Sequence, residues 1–213
     1  METRDRILSA AYRLCYREGF ARVSVDAIAA AAGVTKRTVY YHFQSKDQII
    51  AAVLDNQHSR ALAQIQKWGR NDAPTARDFV AGLFKQLELW ASKPKWLGSG
   101  FTRLAMELAD LPGHPARHAA HHHKVAVEDW LTARLRELNV GKSSEVARQL
   151  VVLMEGSVAL TLIHGDAITS PQLLKLPSIW WTRNSVYALT RCGPDDRFWR
   201  KADMECASQN FRF

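Results

Sequence analysis

Cysteine is scarce in this chain: Cys15, Cys192 and Cys206 are its only three, odd in number and far apart. That excludes a disulfide framework, and no pair stands at the spacing of zinc ligands, so Cys15 reads as a small buried apolar residue. Runs of alternating β-branched residues are missing too, and apolar residues recur instead at intervals of three and four, which excludes a sheet and predicts an all-α protein. No glycine-rich phosphate loop, nucleophile elbow or His-Glu-x-x-His pair is present, and Gly98-Ser99-Gly100 stands without partners, as a turn. The chain therefore does not read as an enzyme, and no cofactor or metal is implied. The longest apolar stretch, Leu150 to Ile163, contains Glu155 and reads as too short to span a bilayer, so no membrane partner is expected. The opening METRDRILSA has charges at Glu2, Arg4, Asp5 and Arg6 with no apolar run before them, so no signal peptide is expected and the cytoplasm is the expected compartment.

Charge of one sign is present but not concentrated. The formal net charge is +8 over 213 residues, with 8 basic against 5 acidic groups in residues 1–50, 14 against 12 in 51–169, and 7 against 4 in 170–213. Such a balance permits a polyanionic partner without locating the face that meets it. Residue spacing has to supply that.

What the chain does have is a series of helical stripes bounded by stop and start signals. Ile7, Leu8, Ala11, Leu14 and Cys15 form one stripe, with Thr3 as its expected N-cap and Gly19 as its end. Ser24 is placed to cap a second helix whose inner face is Val25, Ile28, Ala29 and Ala32. Gly33 breaks that helix, and Thr35 can start a third with only Val34 between them. Two short helices joined so tightly must cross, which makes a helix-turn-helix unit. Ser45-Lys46-Asp47-Gln48 reads as a capping box, opening a long fourth helix with the stripe Ile50, Val53, Leu54, Gln57, Ala61, Ile65 and Trp68. Further helices are expected around Phe79 to Trp90, over 96–110, over 115–139, and over 144–164, the last apolar nearly all round. A helix with no polar face needs cover on two sides, its own domain on one and a second chain on the other.

The third helix is the unusual one. In VTKRTVYYHFQSK, Val39 and Phe43 stand four apart as buried anchors, which leaves Lys36, Arg37, Thr38, Tyr40, Tyr41 and His42 on the outward and lateral faces. Cations and neutral donors together suit a phosphate backbone, and the few that reach base edges would carry sequence information. The helix is short enough for a major groove and has an Ala-rich partner behind it. Lys46 adds a cation beside a positive helix terminus, where a phosphate could sit.

Ser24-Val25-Asp26-Ala27-Ile28-Ala29, followed by Ala32 through Lys46, closely resembles the amino-terminal domain of TetR-family transcriptional regulators over roughly the first fifty residues. The resemblance implies a helix-turn-helix DNA-binding domain at 1–47 and a larger helical ligand-binding and dimerisation domain at 48–169. Residues 170–213, with Pro171, Pro177 and Pro194 and no clean stripe, read instead as an atypical segment: one poor helix around Ser178 to Thr190 and a loosely ordered tail. The resemblance also implies a repressor that binds double-stranded DNA at a palindromic operator as a homodimer and is released by a small-molecule effector. The implied DNA contacts are Ser24, Thr35, Lys36, Arg37, Thr38, Tyr40, Tyr41, His42 and Lys46. One departure stands out: where some members place a base-reading arginine, this chain has Asp26, which shifts recognition toward the third helix.

An effector site in a helical body is apolar with a few polar anchors. The candidate lining is Trp68, Phe84, Trp90, Trp96, Phe101, Met106, Trp130 and Met154, with Glu107 or Glu155 as anchor, pointing to a hydrophobic or aromatic ligand. The alternative function rests on GHPARHAAHHHK, where His114, His118, His121, His122 and His123 fall close enough to share a helix face and hold a metal or small molecule. No cysteine or carboxylate lies within that run, which favours a solvated helix start.

Overall fold

The computed structural model describes residues 2–20, 22–69 and 73–165. All regular structure among them is helical: α1 (Thr3–Glu18), α2 (Val25–Ala32), α3 (Lys36–His42), α4 (Lys46–Trp68), α5 (Ala76–Ala91), α6 (Gly100–Glu107), α7 (Pro115–Glu137) and α8 (Ser143–His164). The expectations for residues 170–213, including the helix around Ser178 to Thr190, lie outside the described residues.

The head is built from α1–α3 and the start of α4. Ile7, Leu8, Ala11 and Cys15 are buried along one side of α1, and the chain leaves at Gly19 so that Phe20 turns inward, fully buried. Thr3 is not the cap: Glu2 holds that position without a side-chain bond, and the helix begins one residue earlier than expected. Ser24 Oγ accepts from the Ala27 amide at 3.1 Å and Thr35 Oγ1 from the Thr38 amide at 3.1 Å, each satisfying a donor that the first turn leaves orphaned.

A helix of seven residues does not persist alone in water, so α3 owes its shape to what it is packed on. Val39 and Phe43 are 0% and 2% exposed, and burying two such side chains stabilises the helix by about 1.5–3 kcal/mol each. Gly33 closes α2 at φ 64, a left-handed conformation, and the Arg6 guanidinium donates to the carbonyls of Ala32 (2.7 Å) and Gly33 (3.2 Å). α1 thereby clamps the turn that sets the course of α3. The capping box at the start of α4 forms as Ser45 Oγ accepts from the Gln48 amide at 3.1 Å, while Gln48 Oε1 accepts from the Gln44 amide at 2.6 Å.

The head has no sealed core of its own. Ile49, outside the expected stripe, is fully buried with Ile50, Val53 and Leu54, and the same cluster continues into Phe101, Leu104 and Leu108 and on to Ala116, Ala119 and Ala120. Apolar packing therefore passes straight through the expected boundary after residue 47.

In the body α4 packs along α7 and α7 along α8. The helix expected over 96–110 contracts to α6, because the chain bends at Lys95 (φ 61) and Gly98 (φ 82) before Ser99 caps the new start. At Gly98 an added Cβ would lie 2.8 Å from Leu162 Cδ1, so this bend rests directly against α8.

α8 buries Val146, Ala147, Leu150, Met154, Val158 and Thr161, and leaves Val152, Leu160 and Ile163 exposed. Its 22 residues match the helix expected over 144–164, the apolar stretch 150–163 being continued at its start by residues 143–149, where Val146 and Ala147 are buried. By length and composition it is long and apolar enough to cross a membrane. Midway along it Glu155 accepts from Thr102 and pairs with Lys124, which ties it to α6 and α7.

Candidate nucleic-acid interface and internal cavity

α3 points away from the body. With Val39 and Phe43 taken up by the core, Lys36, Arg37, Tyr40 and Tyr41 are exposed and Thr38 and His42 half-buried; Tyr41 is 85% exposed, an extreme value for a tyrosine. Thr35 and Ser24, besides capping, lie exposed at the same end, and Lys46 is half-buried at the first turn of α4. Of the nine residues expected to meet DNA, six lie on α3, Thr35 caps it, Ser24 caps α2 and Lys46 opens α4. Arg4, which spacing did not reveal, lies with its guanidinium 5.3 Å from the centre of the Phe43 ring.

Lys36 is engaged in the free protein. Its Nζ donates to Asp26 Oδ2 at 2.9 Å, and that carboxylate holds the ammonium pKa above its ordinary value. Both side chains are more than half exposed, so the pair contributes little to stability. Asp26 thereby acquires a structural role: it tethers the first cation of α3.

The body contains a cavity of about 280 Å³. Of the residues expected to line it, Trp68, Trp90, Phe101, Met154 and Glu155 do so. The others lie elsewhere, each for a physical reason. Phe84 is fully enclosed in the core and Met106 is 64% exposed on the outer side of α6. Trp130 packs edge-on to Phe79, and Trp96 stands edge-on behind Trp90. Glu107 turns toward the head, where Oε2 accepts from the Phe20 amide at 2.7 Å. Spacing identified aromatic residues on inner faces but not which of them border empty space.

Gln57, on the expected inner stripe of α4, also lines the cavity, and other lining residues lay beyond local pattern reading: Tyr12 and Tyr16 from α1, Arg60 and Gln64 from α4, and His123 and Lys124 from α7. Tyr16 joins the cavity to the head, its hydroxyl donating to Gly98 O at 3.1 Å while Arg103 donates to its carbonyl at 2.8 Å.

The histidine run diverges. His114 caps α7 by accepting from the Ala116 amide at 3.1 Å, and its Nε2 lies 3.2 Å from Asp47 Oδ1 at the start of α4. His118 and His121 face solvent, His122 stacks on His58, and His123 is buried against Phe101 with ring centres 3.8 Å apart. Burial, then the Lys124 charge, push the His123 pKa down to about 3, so its ring is neutral. Among the described residues no three His, Cys, Asp or Glu side chains converge on a point that could hold a metal.

Comparison with known proteins adds four findings. A family model described as "Bacterial regulatory proteins, tetR family" matches residues 7–53. The HTH-type transcriptional regulator TtgR of Pseudomonas putida is 44% identical over 57 residues, which are 27% of this chain and 27% of that protein, so the match spans about a quarter of such curated relatives. Among solved structures, a TetR-family transcriptional regulator from Streptomyces coelicolor is 31% identical, with 81% of this chain and 87% of the other covered and a TM-score of 0.67. A tetR-type regulator from Streptomyces avermitilis is 28% identical, with 84% and 98% covered and a TM-score of 0.74.

Proposed function

The chain belongs to the TetR family of transcriptional regulators, and from that premise we propose that it is a repressor whose α3 reads the major groove of a palindromic operator as a homodimer, until a small hydrophobic or aromatic molecule enters the cavity and releases it. The observation that carries this reading is the uncovered outer face of α3, where Arg37, Tyr40 and Tyr41 stand in solvent on a helix held rigid from behind. Lys36, Arg37 and Lys46 meet phosphates or base edges, Thr38 and the tyrosines fix register, and Ser24 and Thr35 direct helix ends toward the backbone. A homodimer accounts for the outer side of α8, because Val152, Leu160 and Ile163 with Gly156 between them form an apolar face on an otherwise well-packed helix.

Release by a ligand requires that it bind one head position better than another. The cavity supports such coupling, because Tyr12 and Tyr16 are at once its wall and part of the head. The test is selection of bound duplexes from a random pool with the full chain. Enrichment of a two-fold sequence with half-sites about one helical turn apart is expected, with binding that falls steeply in salt. Equal affinity for every duplex at moderate salt would overturn the proposal. The metal-binding alternative is not favoured, since the histidines are spent on a cap, a ring stack and solvent.

A further inference from the structure

The cavity is graded along α4. Gln57, Arg60 and Gln64 make one end of that wall polar, and Ile65 and Trp68 make the other apolar, with the Trp90 ring 5.6 Å from that of Trp68. Arg60 and Trp68 are two turns apart, about 12 Å along the axis at 1.5 Å per residue.

The charges in the lining are unequally compensated. Glu155 has both oxygens occupied, one by Lys124 and the other by the Thr102 hydroxyl at 2.5 Å. That pair is internally neutral, and each member would leave an uncompensated partner if a ligand took it away. His123 is neutral and stacked on Phe101. Arg60 is the remaining charge, exposed at the edge of the cavity with no hydrogen-bond or ion-pair partner among the described residues.

We propose that the cavity takes an organic anion with a flat aromatic body about 12 Å long, its rings against the wall formed by Trp68 and Trp90 and its carboxylate on the Arg60 guanidinium. The inference rests on reading the cavity as the effector site and narrows the effector from apolar to amphipathic and negatively charged. A cationic ligand is disfavoured, because it would have to displace Lys124 from Glu155 while facing Arg60. A neutral aromatic would leave the guanidinium unused.

The test is calorimetric titration of the full chain at low salt with three probes of one shape: biphenyl-4-acetate, biphenyl-4-acetamide and biphenyl-4-methylammonium. The carboxylate is expected to bind about tenfold tighter than the amide, as one charge-assisted contact implies, and the ammonium weakest. Arg60→Gln should abolish the preference for the carboxylate while leaving amide affinity unchanged, and Trp68→Ala should weaken carboxylate and amide alike. Equal binding of the three, tighter binding of the ammonium, no binding of any, or a preference that survives Arg60→Gln would each overturn the proposal. Measuring operator affinity with the same probes separates the two readings. Carboxylate bound through Arg60 without loss of DNA affinity would sustain the ligand class and sink the release mechanism, whereas release by the amide as readily as by the carboxylate would do the reverse.

Discussion

In the head the helix starts and the first cation of α3 are set by partners close to them in the chain, whereas the cavity is assembled from helices far apart. The Thr35 cap reaches Thr38, the Ser45 cap reaches Gln48, and Lys36 is tethered by Asp26, 10 positions away. In the cavity the partners of Glu155 are 53 and 31 positions distant, and Tyr16 meets Gly98 across 82. The head presents a rigid edge whose chemistry is decided by a few side chains; the cavity is a remainder, the space left after α1, α4, α5, α6, α7 and α8 have packed. Mutations should therefore act locally and separably in the head and diffusely around the cavity.

The largest expected effect tests whether the two regions are energetically joined. Phe43→Ala leaves a void beneath α3 and should cost about 3–5 kcal/mol, and because the apolar cluster runs on into α6 and α7 the loss should appear in the main unfolding transition. Urea denaturation followed by circular dichroism measures it; a separate early melting step would show the head to be an independent unit. Tyr41→Ala is the counterpart: stability within about 0.5 kcal/mol of the parent, with operator affinity reduced.

Next in size is a pH effect confined to the cavity side. An unperturbed imidazole takes up its proton near 6.5, whereas His123 in the folded chain does so only near 3. Between those values the unfolded chain binds more protons, so stability is complete above 6.5 and falls as the pH is lowered. The loss from pH 6.5 to 5 should be at most about 2 kcal/mol. His123→Gln should flatten that slope in urea midpoints taken at pH 7 and 5, and an unchanged slope would assign the effect to another group.

Smaller again is Arg6→Met, which removes two hydrogen bonds to the carbonyls that end α2. A cost of about 1–2 kcal/mol is expected, together with a loss of operator affinity greater than the stability change explains, because the turn aims α3. The smallest is Asp26→Asn. Stability should be nearly unchanged, but Lys36 is released to a phosphate, so the slope of log affinity against log salt should steepen by about 1 and discrimination between duplexes should fall. An unaltered slope would mean that Lys36 already leaves Asp26 on binding.

How much could be read beforehand follows the same division. The caps at Ser24, Thr35 and Ser45, the left-handed Gly33 and the anchors Val39 and Phe43 were all legible, because each obeys a rule about neighbours within a few positions. Ile49 escaped the helical stripe since the core wraps around the start of α4 on two sides there. Glu107 and Glu155 looked equivalent as anchors, yet one caps the loop at Phe20 and the other borders the cavity. The five histidines looked like one cluster, and the roll of α7 sent them in different directions.

The amino-acid order by itself determined the helices, the turn between α2 and α3 and the chemistry that α3 carries, since periodicity, capping and glycine's conformational freedom act over a few residues. Which aromatics border a cavity, which carboxylate is neutralised, and that Arg60 is left without a counter-charge among the described residues were decided only when distant helices packed. Those outcomes depend on shape and distance across the whole body, and no local spacing encodes them.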